Sequence, residues 1–311
     1  MKTIIGITTW NRKKTLQLSV KSLQHAELAG CEVRIYDDAS DEYDISFLKK
    51  VMPGARVRRN KRRLGADGNM INMYEDFVKS DGDLLINADA DLLYRADFVS
   101  EAVRLLEQTD GVLSLFNTAN HIVKAECGEL VEKYDIGAAG TVFRRDVLVG
   151  ALDKIKSALN EREQADWTWS RVLRESGCRI MVAKASLVQH IGLRGVWSSG
   201  QSFDYGEGFI VDEVNGQLLN EVVLEISNGV TARMRRAAAF YKVGKYLEAA
   251  AETRAGLELA PDNAALHFNL GCELWALGDK KKARKHLKRA YELEEANDLY
   301  KKNYEAACSS R

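Results

Sequence analysis

Two aspartates, Asp89 and Asp91, follow the short apolar segment from Leu84 to Asn87 and are separated by a single residue. In an extended strand alternate residues share a face, so at a strand end both carboxylates can reach one ion or one ribose. Magnesium and manganese ions favour such oxygen ligands and commonly bind through one or two carboxylates together with substrate phosphates. The spacing therefore predicts a site for a divalent cation or a nucleotide, although solvated loop aspartates share the pattern.

A second acidic turn follows another predicted strand. Asp37 and Asp38 come directly after Cys31 to Tyr36, and Thr8 and Thr9 end the first apolar segment of the chain. If these segments are parallel strands, their ends bring three sets of polar groups to one edge of a sheet, where open α/β sheets bind nucleotides. Turn-forming aspartates that cap helices explain each turn alone, but they do not explain the shared location.

Asp166 and His190 are two later candidates. Asp166 lies beside Trp167 near the start of a predicted helix, where a carboxylate can act as a general base towards an acceptor. A first-turn aspartate that stabilises the helix terminus is the alternative. His190 lies between apolar residues, which is typical of a buried histidine, but together with Asp89 and Asp91 it becomes a candidate third metal ligand.

A basic run precedes Gly65 in the sequence and consists of Arg56, Arg58, Arg59, Lys61, Arg62 and Arg63. Because a guanidinium forms paired hydrogen bonds with phosphate oxygens, Arg62 or Arg63 is a candidate for binding a diphosphate. A solvated face accounts for the rest, and a nucleic-acid patch is the remaining alternative. The whole chain carries 45 basic and 45 acidic residues, so no net charge favours nucleic acid or an anionic membrane.

The elements that must position these residues alternate between strands and helices. Leu16, Val20 and Leu23 fall on one face of a helix that begins near Lys13 and is predicted to end at Gly30. Strands with polar turns after them, separated by helices, predict an α/β fold with a mostly parallel sheet up to about residue 210. The predicted strands are Thr3 to Thr9, Cys31 to Tyr36, Leu84 to Asn87, Val112 to Asn117, Ala139 to Phe143 and Arg179 to Val182, and the further helices are Phe98 to Gln108, Arg145 to Lys154 and Glu161 to Glu175. The Gly- and Ser-rich segment 198–208 is a connector or a mobile lid.

From about Gly229 the sequence becomes helix-only and repeats with a period of 34 residues. The matching pairs are Ala237 with Gly271, Gly244 with Gly278, and Ala249 with Ala283. The period and the small residues are typical of tetratricopeptide units, and a plain helical bundle is the alternative. We therefore predict a domain over 1–210, a linker over 211–229 and an all-α repeat domain over 230–311. Stacked helix pairs build binding surfaces, so the tail is expected to recognise a polypeptide acceptor or a second copy of the chain.

The cysteines and the N-terminal residues bear on the cell compartment. Five scattered cysteines show neither the pairing of a disulfide framework nor the spacing of a zinc site. No segment approaches the roughly 18 consecutive apolar residues of a membrane span, and charged residues follow Met1 to Ile5 too soon for a signal sequence. These features predict a protein of the cytoplasm.

Residues 1 to about 205 resemble the family 2 glycosyltransferases of the GT-A fold. The resemblance lies in six motifs, which occur in the family's order: Ile7 to Arg12, Asp37 to Asp41, Asn60 to Asn69 around Gly65, Asp89 to Asp91, Asp166 with Trp167, and His190 to Gly192. From these motifs the donor is predicted to bind to Thr8, Thr9, Arg12, Asp38, Arg63, Gly65 and Asp89, and the metal to Asp89, Asp91 and His190.

The resemblance also implies a role for individual side chains. Asp38 would contact the base of the nucleotide, and Asp89 the ribose or the metal. Asp91 and His190 would bind the metal and the diphosphate, and Asp166 would deprotonate the acceptor. Ala165 stands where family members commonly have Glu, which leaves Glu163 as a second candidate for the base.

The function implied by the resemblance is transfer of a sugar from a nucleotide sugar, by family habit a UDP-sugar, to a hydroxyl or thiol acceptor. The family mostly inverts the anomeric carbon and uses Mn²⁺ or Mg²⁺, which fits one carboxylate base on one face and a neutralised leaving diphosphate on the other. A nucleotidyltransferase is one alternative, but its Gly-rich phosphate loop is missing from Thr8 to Arg12. A non-catalytic scaffold is the other, and the joint retention of the acidic and histidine candidates argues against it.

Overall fold

The computed structural model describes residues 1–159, 165–192 and 204–309, with the backbone alone for residues 165, 166 and 224–228. The chain divides into two compact units, Met1–Leu219 and Asn220–Arg311. Each unit has a hydrophobic core of its own. Within the described ranges no helix is both long and apolar enough to cross a membrane.

The first unit alternates strands and helices. Its strands are β1 (Thr3–Thr9), β2 (Cys31–Asp37), β3 (Arg56–Arg59), β4 (Leu84–Asp89), β5 (Leu92–Tyr94), β6 (Val112–Ser114), β7 (Val123–Cys127), β8 (Leu130–Lys133), β9 (Thr141–Arg144), β10 (Ile180–Ala183) and β11 (Val188–His190). Its helices are α1 (Lys13–His25), α2 (Ile45–Val51), α3 (Gly65–Val78), α4 (Phe98–Leu106), α5 (Arg145–Ala158), α6 (Ala165–Glu175) and the first half of α7 (Glu213–Asn228).

In the described part of the chain nine strands form one mixed sheet, in the order β3-β2-β1-β4-β9-β6-β10-β8-β7. The strands β3, β2, β1 and β4 are parallel neighbours, whereas β9 is antiparallel to both β4 and β6. Thr8 pairs with Asp89 and Thr9 pairs with Asp37, so the ends of three strands lie at one edge of the sheet. The predicted α/β fold with a mostly parallel sheet is confirmed.

The sheet is covered on both faces because side chains on both sides of its central strand are apolar. Ile5 and Ile7 of β1 belong to one buried cluster, and Ile4 belongs to another together with Met73 of α3. Gly6 lies between them, where a Cβ would overlap the sulfur of Met73. The short Ile- and Thr-rich segment is therefore a strand buried on both faces, as parallel sheets require.

Helix α1 confirms the predicted apolar face but not the predicted end. Leu16, Val20 and Leu23 are each at most 2% exposed, and burial of such side chains stabilises a fold by about 1.5–3 kcal/mol each. The helix ends at His25 because Ala26 is already extended, with ψ 158°. Gly30, with φ +79°, instead forms the turn that leads into β2.

Other predicted boundaries shift by a few residues. The strand predicted to reach Asn117 ends at Ser114, because the amide of Asn117 donates to Ser186 Oγ and leaves the sheet. The helix predicted to end at Gln108 stops at Leu106. The start predicted for α6, at residue 161, lies outside the described residues.

The predicted linker over 211–229 is largely helical. Helix α7 spans Glu213–Asn228, and its Asn215 is fully buried. The Asn215 amide nitrogen donates to the carbonyl of Tyr94 at 2.8 Å, and its oxygen accepts from Ser22 Oγ at 2.6 Å. These bonds attach the beginning of α7 to the first unit, which is why that unit extends beyond residue 210.

The second unit consists of helices that repeat as predicted. They are α8 (Val230–Lys242), α9 (Tyr246–Leu259), α10 (Ala264–Ala276), α11 (Lys280–Leu293) and α12 (Asp298–Ser309). Gly244 and Gly278 occupy equivalent turns with φ +77° and +84°, a conformation that glycine adopts without strain. At Gly271 a Cβ would lie 2.7 Å from Leu287 Cγ, so a small residue lets α10 and α11 approach closely.

The repeat is also visible at one pair of equivalent positions, where polar side chains of two neighbouring helices are in contact. Arg233 of α8 forms an ion pair with Glu252 of α9, with an N–O distance of 3.2 Å. One period later His267 of α10 and His286 of α11 face each other, with their Nδ1 atoms 2.9 Å apart. The second helix pair therefore joins two imidazoles where the first joins opposite charges.

We expect acid to loosen the second helix pair. Burial lowers the pKa of His286 below its ordinary value, with the nearby His267 and Arg254 adding to the effect. Because the unfolded chain takes up this proton more readily, stability is lost as the pH falls through the ordinary histidine value of about 6.5. Hydrogen-exchange protection over 264–293 should fall between pH 7.5 and 5.5. The variant His267→Arg/His286→Glu copies the first pair and should keep its protection, and equal losses in both proteins would contradict the explanation.

Candidate active site

The first part of the site lies where β1 and β4 end. Thr8 Oγ1 donates to Asp89 Oδ1 at 2.7 Å, and the hydroxyl of Tyr94 contacts the carbonyl of Asp89 at 3.3 Å. Burial raises the pKa of Asp89 above its ordinary value, and the neighbouring Asp91 adds to the shift. Thr8 and Asp89 are thus brought together as predicted.

The second part is an ion cluster around Asp91. Arg12 Nη1 donates to Asp91 Oδ2 at 2.7 Å, and His190 Nε2 lies 3.4 Å from the same oxygen. Burial opposes ionisation of Asp91, but His190 and Arg12 outweigh it and hold the pKa of this carboxyl below its ordinary value. Burial likewise opposes the charge on His190, and Asp91 outweighs it and raises the pKa of the imidazole. The cluster therefore favours the ionised form of Asp91, with a positive charge on Arg12 and on His190 at either side of it.

The pairing of β5 with β11 creates this cluster. His190 pairs with Leu92 in the two-stranded sheet, and the amide of Ile191 donates to the carbonyl of Asp91 at 2.8 Å. Gly192 follows, and a Cβ at this position would overlap Asp91 Oδ2 and lie 2.9 Å from His190 Nε2. The motif needs glycine because the carboxylate occupies the space of a side chain.

We expect Gly192→Ala to inactivate the site without unfolding the protein. The added methyl group must displace the carboxylate of Asp91, and a shift of about 1 Å at a reacting centre can cost about 10²-fold in rate. Steady-state turnover and the unfolding midpoint should be measured together. Gly150→Ala on α5 is the matched control, because a Cβ there meets nothing within 4 Å. Wild-type turnover in Gly192→Ala would show that the position of Asp91 is unimportant.

The two aspartates of the second turn bind the protein's own groups. Asp37 is fully buried, and its Oδ2 accepts from Arg59 Nη1 at 2.6 Å. Asp38 is 2% exposed and accepts from the amides of Leu64 and Gly65, each at 2.8 Å. The carboxylate of Asp38 thereby anchors the loop that leads into α3, and its predicted contact with a base stays a prediction.

The remaining predicted donor-binding residues lie in the same loops but differ in their surroundings. Thr9 is buried, and its hydroxyl hydrogen-bonds to that of Tyr43 at 2.6 Å, so it faces the interior. Arg63 is exposed, and its guanidinium lies 3.5 Å from the centre of the Trp10 ring. Gly65 has φ +83°, and a Cβ at this position would meet nothing within 4 Å. Arg63 and Gly65 are therefore placed at the surface of the loop, and Thr9 is not.

Asp166 is the second residue of α6, and its side chain is not described. The helix itself is fixed by Trp169, which is fully buried and packs edge-on against Phe143 at a centroid distance of 5.5 Å. Trp167 on the same turn is 55% exposed. The alternative base Glu163 lies outside the described residues.

Comparison with known protein families decides the identity of the first unit. The model of glycosyl transferase family 2 matches residues 4–180, more than half of the chain. The chain belongs to this family. It is a glycosyltransferase, with an α/β domain followed by a helical tail. A tetratricopeptide repeat model matches residues 264–297, which contain α10 and α11.

Comparison with solved structures found similarity to TarS from S. aureus. A crystal structure of TarS 1–349 is 15% identical, with a TM-score of 0.45, and the match covers 99% of this chain and 90% of that one. The same fragment in complex with UDP-GlcNAc is 14% identical, with a TM-score of 0.46 and the same coverage. A longer TarS structure is 14% identical, with a TM-score of 0.45 and 55% of its chain covered. A comparison with curated proteins found no match.

The donor set of this family 2 site suits a divalent cation. Asp91 Oδ2 and His190 Nε2 lie 3.4 Å apart, and glycine at position 192 keeps a side chain from displacing either atom. Over the described ranges no group of three or more His, Cys, Asp or Glu side chains is arranged to hold a metal. Mg²⁺ sites commonly use one or two carboxylates plus substrate phosphates and water, and the neutral imidazole is a common metal ligand, so Asp91 and His190 are the residues that would hold such an ion. Participation of Asp89 stays a prediction.

Sequence reasoning missed two residues that hold the loops of this glycosyltransferase in place. Arg59 donates to Asp37 and to the carbonyl of Tyr43, and Tyr43 in turn donates to the carbonyl of Asn11 at 2.9 Å. Arg59 was visible only as one member of a basic run. The signal that could have predicted this contact is that Asp37 ends one strand and Arg59 ends the next strand along the chain.

Proposed function

We propose that the protein transfers a sugar from a nucleotide sugar, with UDP as the nucleotide, to a hydroxyl or thiol acceptor with inversion at the anomeric carbon. The observation that supports this best is the cluster of Asp91, Arg12 and His190 beside the Asp89 and Thr8 pair. Polar groups at the carboxyl ends of parallel strands form the usual place for a nucleotide in such sheets. The anionic diphosphate of a donor complements the two cations.

In this proposal the acceptor oxygen or sulfur attacks the anomeric carbon while the bond from that carbon to the diphosphate breaks. Asp166 takes the acceptor proton, and the diphosphate leaves with the bonding electron pair. Arg12 neutralises the charge that develops on the leaving group, which is the kind of electrostatic help that preorganised cations give. A divalent cation held by Asp91 and by His190 in its neutral form would add Lewis-acid stabilisation of the same charge.

Product analysis separates this function from its alternatives. The protein should be incubated with UDP-sugars and Mn²⁺, after a melting-temperature screen has identified the donor that binds. A glycosyltransferase breaks the bond at the anomeric carbon and releases UDP. A nucleotidyltransferase breaks a phosphorus–oxygen bond and yields UMP or a new nucleotide, and a non-catalytic scaffold gives no product above an Asp91→Asn control.

The tail is proposed to recognise a polypeptide acceptor or a second copy of the chain. Several cations of α11 already have partners: Lys282 contacts Asp279, Lys288 contacts Glu292, and Arg289 contacts Asp262. We therefore expect a partner to bind to the surface formed by the stacked helices rather than to the positive charges of α11. A chain ending at Gly229 should still hydrolyse donor slowly but lose its native mass or its rate towards the natural acceptor. Retention of both by a folded truncation would contradict a partner role.

A further inference from the structure

Arg12 is held in an unfavourable backbone conformation. Arg12 and the preceding Asn11 have φ angles of +55° and +52°, in the left-handed region that residues with a Cβ rarely adopt. The amide of Asn11 donates to Ser40 Oγ at 2.8 Å, and Asn11 Oδ1 accepts from the amide of Asp41 at 2.7 Å. The turn after β2 therefore fixes the turn after β1. Strain that the surroundings maintain in this way is commonly found at functional sites.

This conformation directs Arg12 to Asp91. The Asp91 side chain is 7% exposed, and its Oδ2 is shared by Arg12 Nη1 at 2.7 Å and His190 Nε2 at 3.4 Å. The Arg12 side chain is 35% exposed, so part of it is in contact with solvent. A positive charge in contact with this oxygen repels a second cation that approaches it, because Coulomb interactions are strong at such distances in a partly buried site.

We propose that Arg12 is a built-in counter-ion of Asp91, which makes binding of a divalent cation depend on the nucleotide diphosphate. Without nucleotide, Arg12 neutralises Asp91 and keeps cation affinity low. A diphosphate offers Arg12 new acceptors, since guanidinium groups bind phosphate oxygens well, and it frees Asp91 Oδ2. Cation and diphosphate then bind with positive coupling, and by linkage each raises the affinity of the other by the same factor. This inference rests on the proposed nucleotide site.

Mn²⁺ binding tests the proposal without any turnover. Electron paramagnetic resonance reports free Mn²⁺, and titrations should be run with and without UDP on the wild-type protein, Arg12→Gln and Arg12→Lys. Gln lacks the charge and Lys keeps it, while both residues must adopt the same left-handed backbone conformation as Arg12. The three proteins therefore differ in charge but not in backbone strain. We expect Arg12→Gln to bind Mn²⁺ alone at least about tenfold more tightly and to lose most of the gain that UDP produces in the wild type. Arg12→Lys should behave like the wild type.

Two outcomes would overturn the proposal. One is unchanged or weaker affinity of Arg12→Gln for Mn²⁺ alone, and the other is an undiminished effect of UDP in that variant. Arg12→Gly, which adopts the left-handed conformation freely, repeats the test if Arg12→Gln unfolds. If the wild-type protein binds no UDP at all, the proposed function fails, whereas the Mn²⁺ titrations without nucleotide still decide whether Arg12 blocks Asp91.

Discussion

Replacement of Asp91 by Asn is expected to lower kcat/KM for sugar transfer by about 10²–10³-fold, the range seen when one preorganised electrostatic partner is removed. Asn has nearly the same size, so the packing around Gly192 is kept while the charge is lost. Arg12 and His190 then face each other without the carboxylate that holds both. The loss should appear in steady-state rates with saturating Mn²⁺, where a simple weakening of metal affinity is overcome.

Asp81→Asn is the matched control for this substitution. Asp81 is also ion-paired, to Lys2, but its side chain is 78% exposed and it lies at the opposite end of β4 from Asp91. Exposed ion pairs contribute little, so its rates should stay within about twofold of the wild type. If Asp91→Asn keeps full activity in the presence of a chelator, neither a bound metal ion nor the ion cluster around Asp91 takes part in the reaction.

The carboxyl edge of the sheet could be predicted because it depends on local pattern alone. Apolar runs followed by Asp37, Asp89 or Thr9 mark strand ends, and parallel strands bring such ends together whatever the rest of the fold. The pairs Thr8 with Asp89 and Thr9 with Asp37 are the result. The 34-residue repeat was predictable for the same reason, since small residues recur where helices touch.

The partners of the edge residues could not be predicted, because they come from distant segments. Asp38 looked free to contact a base, but its oxygens accept from the amides that begin α3. Arg12 and Asp91 are 79 positions apart and meet only because a strained turn directs one to the other. The edge strand β3 was hidden for a different reason. Its residues from Arg56 to Arg59 are mostly charged, which protects an edge but hides the apolar alternation of a strand.

The role of Asp166 is tested by its replacement with Asn, which should lower kcat by about 10²–10⁴-fold, the contribution of a positioned general base. An amide cannot accept the acceptor proton, but it preserves the shape of the first turn of α6. Affinity for UDP should stay within a factor of about two, because a residue used only in the transition state leaves donor binding intact. Single-turnover rates and calorimetric titration with UDP give the two quantities.

Asp146→Asn distinguishes this role from stabilisation of a helix terminus. Asp146 occupies the first turn of α5 and is exposed. It therefore has the same position in its helix as Asp166 has in α6, but it can act only on the stability of the helix terminus. A first-turn carboxylate contributes about 0.3–1 kcal/mol to stability through the helix dipole, so both variants should show a loss of stability of that size. Only Asp166→Asn should lose turnover. If its kcat is unchanged while Glu163→Gln is inactive, the base is Glu163, and if UDP affinity collapses instead, Asp166 belongs to the nucleotide site.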